Sequence, residues 1–261
     1  MRVATWNVNS LKARMGRVQA WISTVKPDVL CLQETKMTDE AFPHSLFEDL
    51  GYESFHHGEG RWNGVAIISR IGLTDERCGF ADERDDPDPD ARIIWATCGG
   101  VRIASCYVPN GRSIDHEHYR YKLDWLERLH DDLSANTDIA NDLVLVVGDF
   151  NIAPEDRDVW SPVAYEGATH VTKAERDALA RIVDTGMVDV FRERFDNFGL
   201  HTWWDYRGGA FHKGEGLRID LILASGLIAS DLEWVVIDRN ERKGEKPSDH
   251  APLIASFLVS N

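Results

Sequence analysis

Apolar residues recur along this chain in two rhythms. In the first they return every three or four positions: Leu11, Met15, Val18, Ile22 and Val25 form one stripe, and Tyr119, Leu123, Leu126, Leu129 and Leu133 form another. Both are amphipathic-helix patterns. Ser10 stands where an N-cap belongs on the first helix, and Pro27 stops it. Thr172 and Glu175 make the T-x-x-E pattern of a capping box, which starts a further helix running to about Asp184.

In the second rhythm apolar residues run together for a few positions and then stop. VATWNVN, VLCLQE (29–34), GVAIIS (64–69), RIIWAT (92–97), VRIASCYVP (101–109) and LVLVV are of this kind. HTWWDY, LRIDLILAS, LEWVVID and APLIASFLV follow in the last third. Runs this short and rich in β-branched residues read as strands. Gly99-Gly100 between two of them signals a hairpin. Strands and helices alternate over the whole length without a low-complexity linker or repeat. The expectation is one α/β domain over 1–261, with at least two layers of strand and covering helices.

Composition narrows the class. The 261 residues are 43% hydrophobic and 10% aromatic, which suits a packed core rather than disorder. No apolar run reaches the roughly 20 residues of a membrane helix, so no membrane is expected as partner. Cys31, Cys78, Cys98 and Cys106 show no zinc-type spacing. Cys31 and Cys106 lie inside apolar runs and read as buried thiols in a reducing cytoplasm. The formal charge of −15 argues against a simple nucleic-acid coat but allows an enzyme with a local basic or metal-loaded groove. The acidic stretch DERDDPDPD (82–90) reads as a solvated loop, lacking the glycine and spaced glutamate of a calcium loop.

The ends of the strand-like runs carry the chemistry. VLVV runs straight into Gly-Asp-Phe-Asn. If the chain stays extended, Asp149 and Asn151 point to one side. Other runs end on Asn7 and Asn9, on Glu34, on Tyr107, and on Asp220, and the tail brings Asp249 and His250. Each has a bland alternative: an amide closing a turn, Asp220 pairing with the adjacent Arg218, Tyr107 packed in the core. Acids and amides at the ends of most strands together point to a site at the rim of a sheet.

Two carboxylates about 4 Å apart repel by roughly 4 kcal/mol at an effective dielectric of 20. Convergence of Glu34, Asp149, Asp220 and Asp249 therefore calls for a cation. Oxygen donors without clustered cysteine or histidine favour Mg²⁺, or Mn²⁺, over zinc. His250 among acids is a candidate general base or phosphate-binding cation. Such a set suits hydrolysis of a phosphate ester.

WNVNSLKAR, LQETK, WNGVAIIS, YVPNGR, GDFNIAP, WWDYR, GLRIDLILAS and PSDHAP, in this order, resemble the exonuclease III family of abasic-site DNA endonucleases, within the endonuclease/exonuclease/phosphatase superfamily. LQETK, GDFN and SDH are shared widely there; YVPNGR and GLRID point to its DNA-repair branch. The resemblance implies a DNase I-like four-layer α/β sandwich, two packed mixed β-sheets flanked by helices, with a Mg²⁺ site where strand ends gather. By resemblance Glu34 is the principal metal ligand, Asn7 and Asp249 bind metal or order its surroundings, and Asp149 and Asn151 are further candidate ligands. Asp149 orients or deprotonates the attacking water or protonates the leaving 3′-oxygen. Asn151 steadies nucleophile and phosphate, His250 contacts the scissile phosphate, Asp220 orients its imidazole, and Tyr107 lies near the phosphate. Asn9 stands where some members have aspartate.

The implied activity is cleavage of the backbone 5′ to an abasic site, with 3′–5′ exonuclease and 3′-end-cleaning activity. The implied partner is double-stranded DNA with abasic sites or blocked 3′ ends, met by a monomer. Lys36, Asn110 and Arg112 are candidate DNA contacts, and Trp62 with Arg61 would track the backbone. Extruding an abasic nucleotide costs less than flipping a paired base, and apolar wedges can fill the gap. Trp203, Trp204, Leu217 and Ile219 are the candidates, with one tryptophan of the pair expected to face DNA. Lys12, Arg14, Lys36, Arg112, Arg207, Lys213, Arg218 and Lys246 are expected to polarise basic charge toward the motif-bearing rim. A phosphodiesterase for RNA, a lipid head group or a nucleotide is the alternative enzyme. A DNA-binding protein that has lost its chemistry is the alternative outside enzymes.

Overall fold

The computed structural model describes residues 1–81, 88 and 90–259. Two six-stranded sheets hold most of the strands. The first has the order β13 (Leu232–Ile237), β14 (Leu253–Phe257), β1 (Arg2–Asn7), β2 (Val29–Gln33), β4 (Val65–Ser69), β3 (Glu53–His57). The second has the order β5 (Thr74–Cys78), β6 (Ile93–Cys98), β7 (Val101–Tyr107), β8 (Val144–Asp149), β12 (Asp220–Ser225), β9 (Met187–Asp189). Both are mixed: β1–β2 and β7–β8 run parallel, the other pairs antiparallel. A short ribbon joins β10 (Trp203–Trp204) to β11 (Gly216–Leu217).

Helices α1 (Leu11–Val25) and α2 (His44–Asp49) cover the outer face of the first sheet, packing Leu11, Val18, Ile22 and Phe47 on Ala4, Leu30 and Leu32. Helices α3 (Glu117–Asn136) and α4 (Lys173–Asp184) cover the second, packing Trp125, Leu129, Leu179 and Ile182 on Val144 and Val146. Between the sheets Val3, Cys31 and Ile67 meet Ile103, Leu145, Val147 and Ile222. This is the four-layer sandwich that the resemblance implies. It explains why LVLVV shows no polar alternation: β8 is buried on both faces, and each such Val or Leu contributes about 1.5–3 kcal/mol.

Local signals act as expected. The Ser10 hydroxyl accepts the Ala13 N–H at 3.4 Å, and Lys26 turns left-handed (φ 50°) to close α1 before Pro27. The Thr172–Glu175 capping box is formed in both directions. Gly99 and Gly100 both take positive φ, 55° and 79°, in the two-residue turn between β6 and β7. Cys31 and Cys106 are buried, and all four cysteines are unpaired.

Other elements escape the apolar pattern. β3 and β5 are sheet edges with largely polar sequences, ESFHH and TDERC, so no apolar run marks them. HTWWDY yields a strand of only two residues, and LRIDLILAS breaks at Arg218–Ile219, whose N–H groups turn to Asp158 O and the Thr202 hydroxyl. Of the acidic loop, 82–87 and 89 lie outside the described residues. Asp88 corrects the solvated reading, since it accepts the Tyr121 hydroxyl at 2.5 Å and Trp125 Nε1 at 2.7 Å.

The inward-facing positions change character along each strand. Val3, Thr5 and Asn7 on β1, Cys31 and Gln33 on β2, Ile103, Ser105 and Tyr107 on β7, and Val147 and Asp149 on β8 alternate inward. Aliphatic residues give way to a hydrogen-bonded polar layer. The Thr5 hydroxyl donates to Gln33 Oε1 at 3.1 Å, and Gln33 Nε2 donates to Ser105 Oγ at 3.2 Å. Such a layer is tolerable because its groups are paired; an unsatisfied one costs about 1–3 kcal/mol. Beyond it lie Asn7, Tyr107, Asp149 and Asp220.

Candidate active site

Parallel and antiparallel pairing together bring the carboxyl ends of β1, β2, β7 and β8 and the amino ends of β12 and β14 to one rim. Two glycines permit the close approach. A Cβ on Gly148 (φ 149°) would lie 1.9 Å from Cys106 O, and one on Gly64 (φ 92°) would lie 2.1 Å from Thr35 Oγ1. The rim backbone is unusual too: Asn9, Glu34, Lys36, Arg112 and Asn151 all have positive φ. Non-glycine residues held there cluster at functional sites.

The side chains form one connected set. Asn7 Nδ2 donates to Glu34 Oε1 and Asp149 Oδ2, both at 2.9 Å. Lys36 Nζ lies 2.8 Å from Glu34 Oε2. Asn9 Nδ2 donates to Asp249 Oδ1 at 3.1 Å, and Trp203 Nε1 donates to Asp249 Oδ2 at 3.1 Å. Asp149 Oδ1 accepts the Asn151 N–H at 2.9 Å. Its Oδ2 faces His250 Nε2 at 3.7 Å, while His250 Nδ1 donates to Asp220 Oδ2 at 2.8 Å. The acids are Glu34, Asp149, Asp220 and Asp249; the cations are Lys36 and His250.

Titration follows from that excess. Burial pushes Asp149 up to about 7, the His250 charge opposing and the Asp220 charge assisting. Burial disfavours the His250 imidazolium, but Asp220 and Asp149 outweigh it and raise the group to about 10. Burial first, and then the charge of Glu34, hold the Tyr107 hydroxyl protonated well above its ordinary range. At neutral pH the set is therefore a carboxylate poised to take a proton beside an imidazolium and a phenol able to donate.

Asp149, Asp220 and His250 place ligand-type atoms within 4.8 Å of one another; with the imidazole charged, the donors it leaves for a cation are the carboxylate oxygens. Glu34 and Asp149, bridged by the Asn7 amide, form a second focus of oxygen donors. The negative excess, the raised Asp149 and the oxygen-rich donor set fit a hard divalent cation.

A sequence model of the "Endonuclease/Exonuclease/phosphatase family" matches residues 4–250. The chain belongs to this family. Among family members it is 36% identical to exodeoxyribonuclease III of Haemophilus influenzae over 98% of this chain and 100% of the relative. An AP endonuclease from Archaeoglobus fulgidus superposes with a TM-score of 0.95 at 39% identity, covering 99% of this chain and 100% of that one. A 3′ phosphatase, NExo, from Neisseria, solved bound to a product DNA hairpin, superposes equally well, at 0.95 and 36% identity, covering 99% of this chain and 100% of that one.

The rim of this family member gathers Asn7, Glu34, Tyr107, Asp149, Asn151, Asp220, Asp249 and His250. Two details differ from the sequence reading. The chain does not stay extended past Asp149: Asn151 turns left-handed (φ 51°), and its Nδ2 donates to Val108 O at 2.9 Å while Asn110 Nδ2 donates to its Oδ1 at 3.1 Å. Asp220 pairs with His250, as the resemblance implies, and not with Arg218; Arg218 is buried and bound to Asp158 at 2.6 Å and Asp189 at 2.8 Å. Arg218 thus leaves the basic patch. Arg207 and Lys213 face Asp205 and Glu215. Lys12, Arg112 and Lys246 are exposed, and half-buried Arg14 reaches Asn9 O and Pro247 O.

The wedge set is corrected as well. Trp204, Leu217 and Ile219 are buried. Leu217 and Ile219 pack with Val159 beneath half-buried Trp203, and Trp204 packs with Ala210 and Ala251. They form a floor, not projecting wedges. Trp203 and Trp62 keep open surface; Trp62 is 58% exposed, with the Arg61 guanidinium 4.8 Å above its ring.

Sequence reasoning missed the groups behind the rim. The Thr35 hydroxyl meets His56 Nε2 at 2.8 Å, and His56 Nδ1 meets Asp39 Oδ1 at 2.7 Å, bracing the loop that carries Glu34. Burial lowers His56 to about 4, so it is neutral there. His170 Nδ1 donates to Asn151 O at 2.6 Å, and Lys122 Nζ donates to the same carbonyl at 2.7 Å. The signal for Lys122 was present: it lies three positions after Tyr119 and four before Leu126, inside the apolar stripe of α3.

Proposed function

We propose that this chain is a Mg²⁺-dependent DNA repair nuclease. It cleaves the backbone 5′ to abasic sites and also shortens or cleans 3′ ends. Residues 1–261 work as one catalytic domain, active as a monomer in the cytoplasm; Mn²⁺ is an alternative to Mg²⁺. The observation that carries the reading is the Asp149–His250–Asp220 relay at the rim, 3.7 Å and 2.8 Å across its two gaps, flanked by Glu34 and two amides. The names of the relatives, exodeoxyribonuclease III and AP endonuclease, support DNA as the substrate. No helix among the described residues is long and apolar enough to cross a membrane.

In-line hydrolysis forms a bond from water oxygen to phosphorus and breaks the bond to the 3′-oxygen, which leaves with the bonding electron pair and takes a proton from solvent to become the 3′-hydroxyl. Asp149 receives a proton from the attacking water, a role suited to a carboxylate raised to about 7. His250, charged and oriented by Asp220, donates to a non-bridging oxygen that gains charge in the transition state. Tyr107 and Asn151 lie beside the same oxygens. Glu34, Asn7 and Asp249 would hold the divalent cation, with Asp149 and Asn151 as further donors. When bound, such an ion supplies Lewis-acid stabilisation of the phosphoryl group. Trp203, Trp62, Lys36, Asn110 and Arg112 contact the duplex, and the buried Trp204, Leu217 and Ile219 support that surface from below.

The test is a labelled duplex with one stable abasic analogue, incubated with Mg²⁺ or EDTA and resolved on a denaturing gel. A single Mg²⁺-dependent cut 5′ to the lesion is expected. Shortening from the 3′ end alone would make trimming the main role. No cleavage with any divalent ion would overturn the reading in favour of a non-DNA phosphoester.

A further inference from the structure

Behind Asn151 lies a buried ion pair that the chemistry above does not use. Lys122 on α3 and Glu175 in the first turn of α4 meet at 2.5 Å with no exposed side-chain surface. A buried ion pair is weak evidence for stability, since desolvation can exceed its attraction. What this pair touches is therefore the informative part.

It touches three loops. Lys122 Nζ donates to Asn151 O at 2.7 Å and approaches Asn110 O at 3.4 Å. Glu175 Oε1 accepts the Thr169 hydroxyl at 2.7 Å and the His170 N–H at 2.9 Å. Thr169 Oγ1 also lies 3.0 Å from Asn110 O, and His170 Nδ1 donates to Asn151 O. The loops 108–112, 150–153 and 168–172 thus share one anchor. Glu175 divides its work: Oε2 closes the capping box on Thr172 at 3.0 Å, and Oε1 belongs to the anchor. A glycine marks the tight fit, because a Cβ on Gly111 would lie 2.8 Å from Thr169 Oγ1 and 3.2 Å from Lys122 Cδ.

Asn151 itself is poorly fixed by its own strand. The strand has ended, φ is 51°, and its side chain rests on Val108 O and Asn110. Its peptide plane is set from behind, by the two donors on its carbonyl. That carbonyl belongs to the peptide joining Asn151 to Ile152, and the N–H bonded to Asp149 Oδ1 belongs to the preceding peptide. The two planes share the Asn151 Cα, so a displacement of the anchored carbonyl that shifts this Cα carries the side-chain amide and the N–H contact to Asp149 with it.

We propose that Lys122 and Glu175 are positioning residues of the active site, a buried clamp that fixes the direction of Asn151 and Asp149 by holding the Asn151 carbonyl from the protein side. The proposal rests on the reading that Asn151 faces the substrate phosphate. Its chemistry is remote from the substrate, so its signature is a loss of rate at kept affinity.

The test compares wild type, Lys122→Met/Glu175→Gln and Glu175→Gln on the abasic-analogue duplex with Mg²⁺. The double variant removes both charges, keeps volume, and leaves an amide oxygen for the cap. Its kcat is expected to fall on the order of 100-fold, the scale of an ångström-sized misplacement, with KM changed by no more than about twofold. Glu175→Gln keeps Lys122 beside the Asn151 carbonyl but removes its counter-charge, so its kcat is expected to fall between wild type and the double variant, and a wild-type kcat there would remove Glu175 from the clamp. A double variant that melts earlier but turns over at the wild-type rate would make the pair merely structural and overturn the proposal. If the double variant does not fold, Lys122→Arg decides: it keeps charge and pairing, but its planar fork cannot reproduce the same contacts. An unchanged kcat there overturns the clamp as well. A crystal structure of the folded variant separates the two readings. Should wild type prove inactive on abasic DNA, the function falls, while a displaced Asn151 amide still supports the clamp and an undisturbed contact to Val108 O rejects it.

Discussion

Two buried charge clusters lie on either side of Ile219 and teach opposite lessons. In one, Asp158 and Asp189 face Arg218 and Arg192: Arg218 Nε binds Asp158 at 2.6 Å, Arg218 Nη1 lies 2.8 Å from Asp189, and Arg192 also binds Asp158. Charges balance, and the arginines hold Asp158 below its ordinary range despite burial. In the other, Asp149 and Asp220 share His250, with Glu34 and Asp249 nearby, and Asp149 rises to about 7. Burial is similar; compensation is not. The balanced cluster is fixed as ions. The unbalanced one is left able to exchange protons and to accept a cation.

Substitutions can break this contrast. The largest effect is expected from Asp149→Asn, which should lower kcat by roughly 10²–10⁴-fold without lowering the melting temperature at pH 8. Single-turnover cleavage together with a thermal melt checks both halves; an active variant would remove Asp149 from the chemistry. Asp158→Asn should do the reverse. It leaves the two arginines with Asp189 as the one acid of the cluster and is expected to cost roughly 3–5 kcal/mol of stability, read by urea unfolding, while the folded fraction keeps its rate.

Smaller effects sharpen the contrast. Asp220→Asn removes the main charge that raises His250. The imidazolium should then be lost earlier, moving the alkaline limb of kcat/KM from near pH 10 downward by roughly two pH units. A pH–rate profile on the abasic duplex measures it, and an unmoved limb would show that another group sets it.

The smallest effect concerns the metal-free protein. Asp149 is raised in the fold, so its contribution to stability is complete below about pH 4 and is lost as pH rises through about 7. His250 is also raised, so its contribution is complete below about 6.5 and is lost through about 10. Melting temperature against pH in EDTA should decline in both windows. Asp149→Asn should flatten the lower window and His250→Gln the upper.

Much of this is legible in the sequence alone. β8 and Asp149 could be read because a run buried on both faces cannot carry a carboxylate without a reason, and the same holds for Glu34 after VLCLQ. The capping box at Thr172 was visible because it is local. What escaped is what depends on non-local pairing. Arg218 stands two positions from Asp220, which on an extended chain would put both on one side, but the strand breaks at Arg218–Ile219, and Arg218 serves Asp158 and Asp189 instead. Leu217 and Ile219 carry the motif's apolar character, yet their exposure depended on where Val159 and Trp203 would pack. Lys122 stood in an apolar stripe, a visible anomaly whose partner lay 53 residues away. The edge strands β3 and β5 were silent because an edge exposed to water can do without an apolar signature.

The seat at Gly148 has a consequence for how this molecule can change over time. With backbone atoms already in contact there, β7 and β8 behave as a gauge block: the spacing between Tyr107 and Asp149 has no adjustable travel. No side chain can be inserted at that position and later compensated by a neighbour, because the obstacle is the main chain of Cys106. Substitution at Gly148 is therefore closed to this sequence, while the exposed loops carrying Trp62 and Arg112 meet no such obstacle. What is passed on unchanged is the spacing of the two main chains that carry Tyr107 and Asp149.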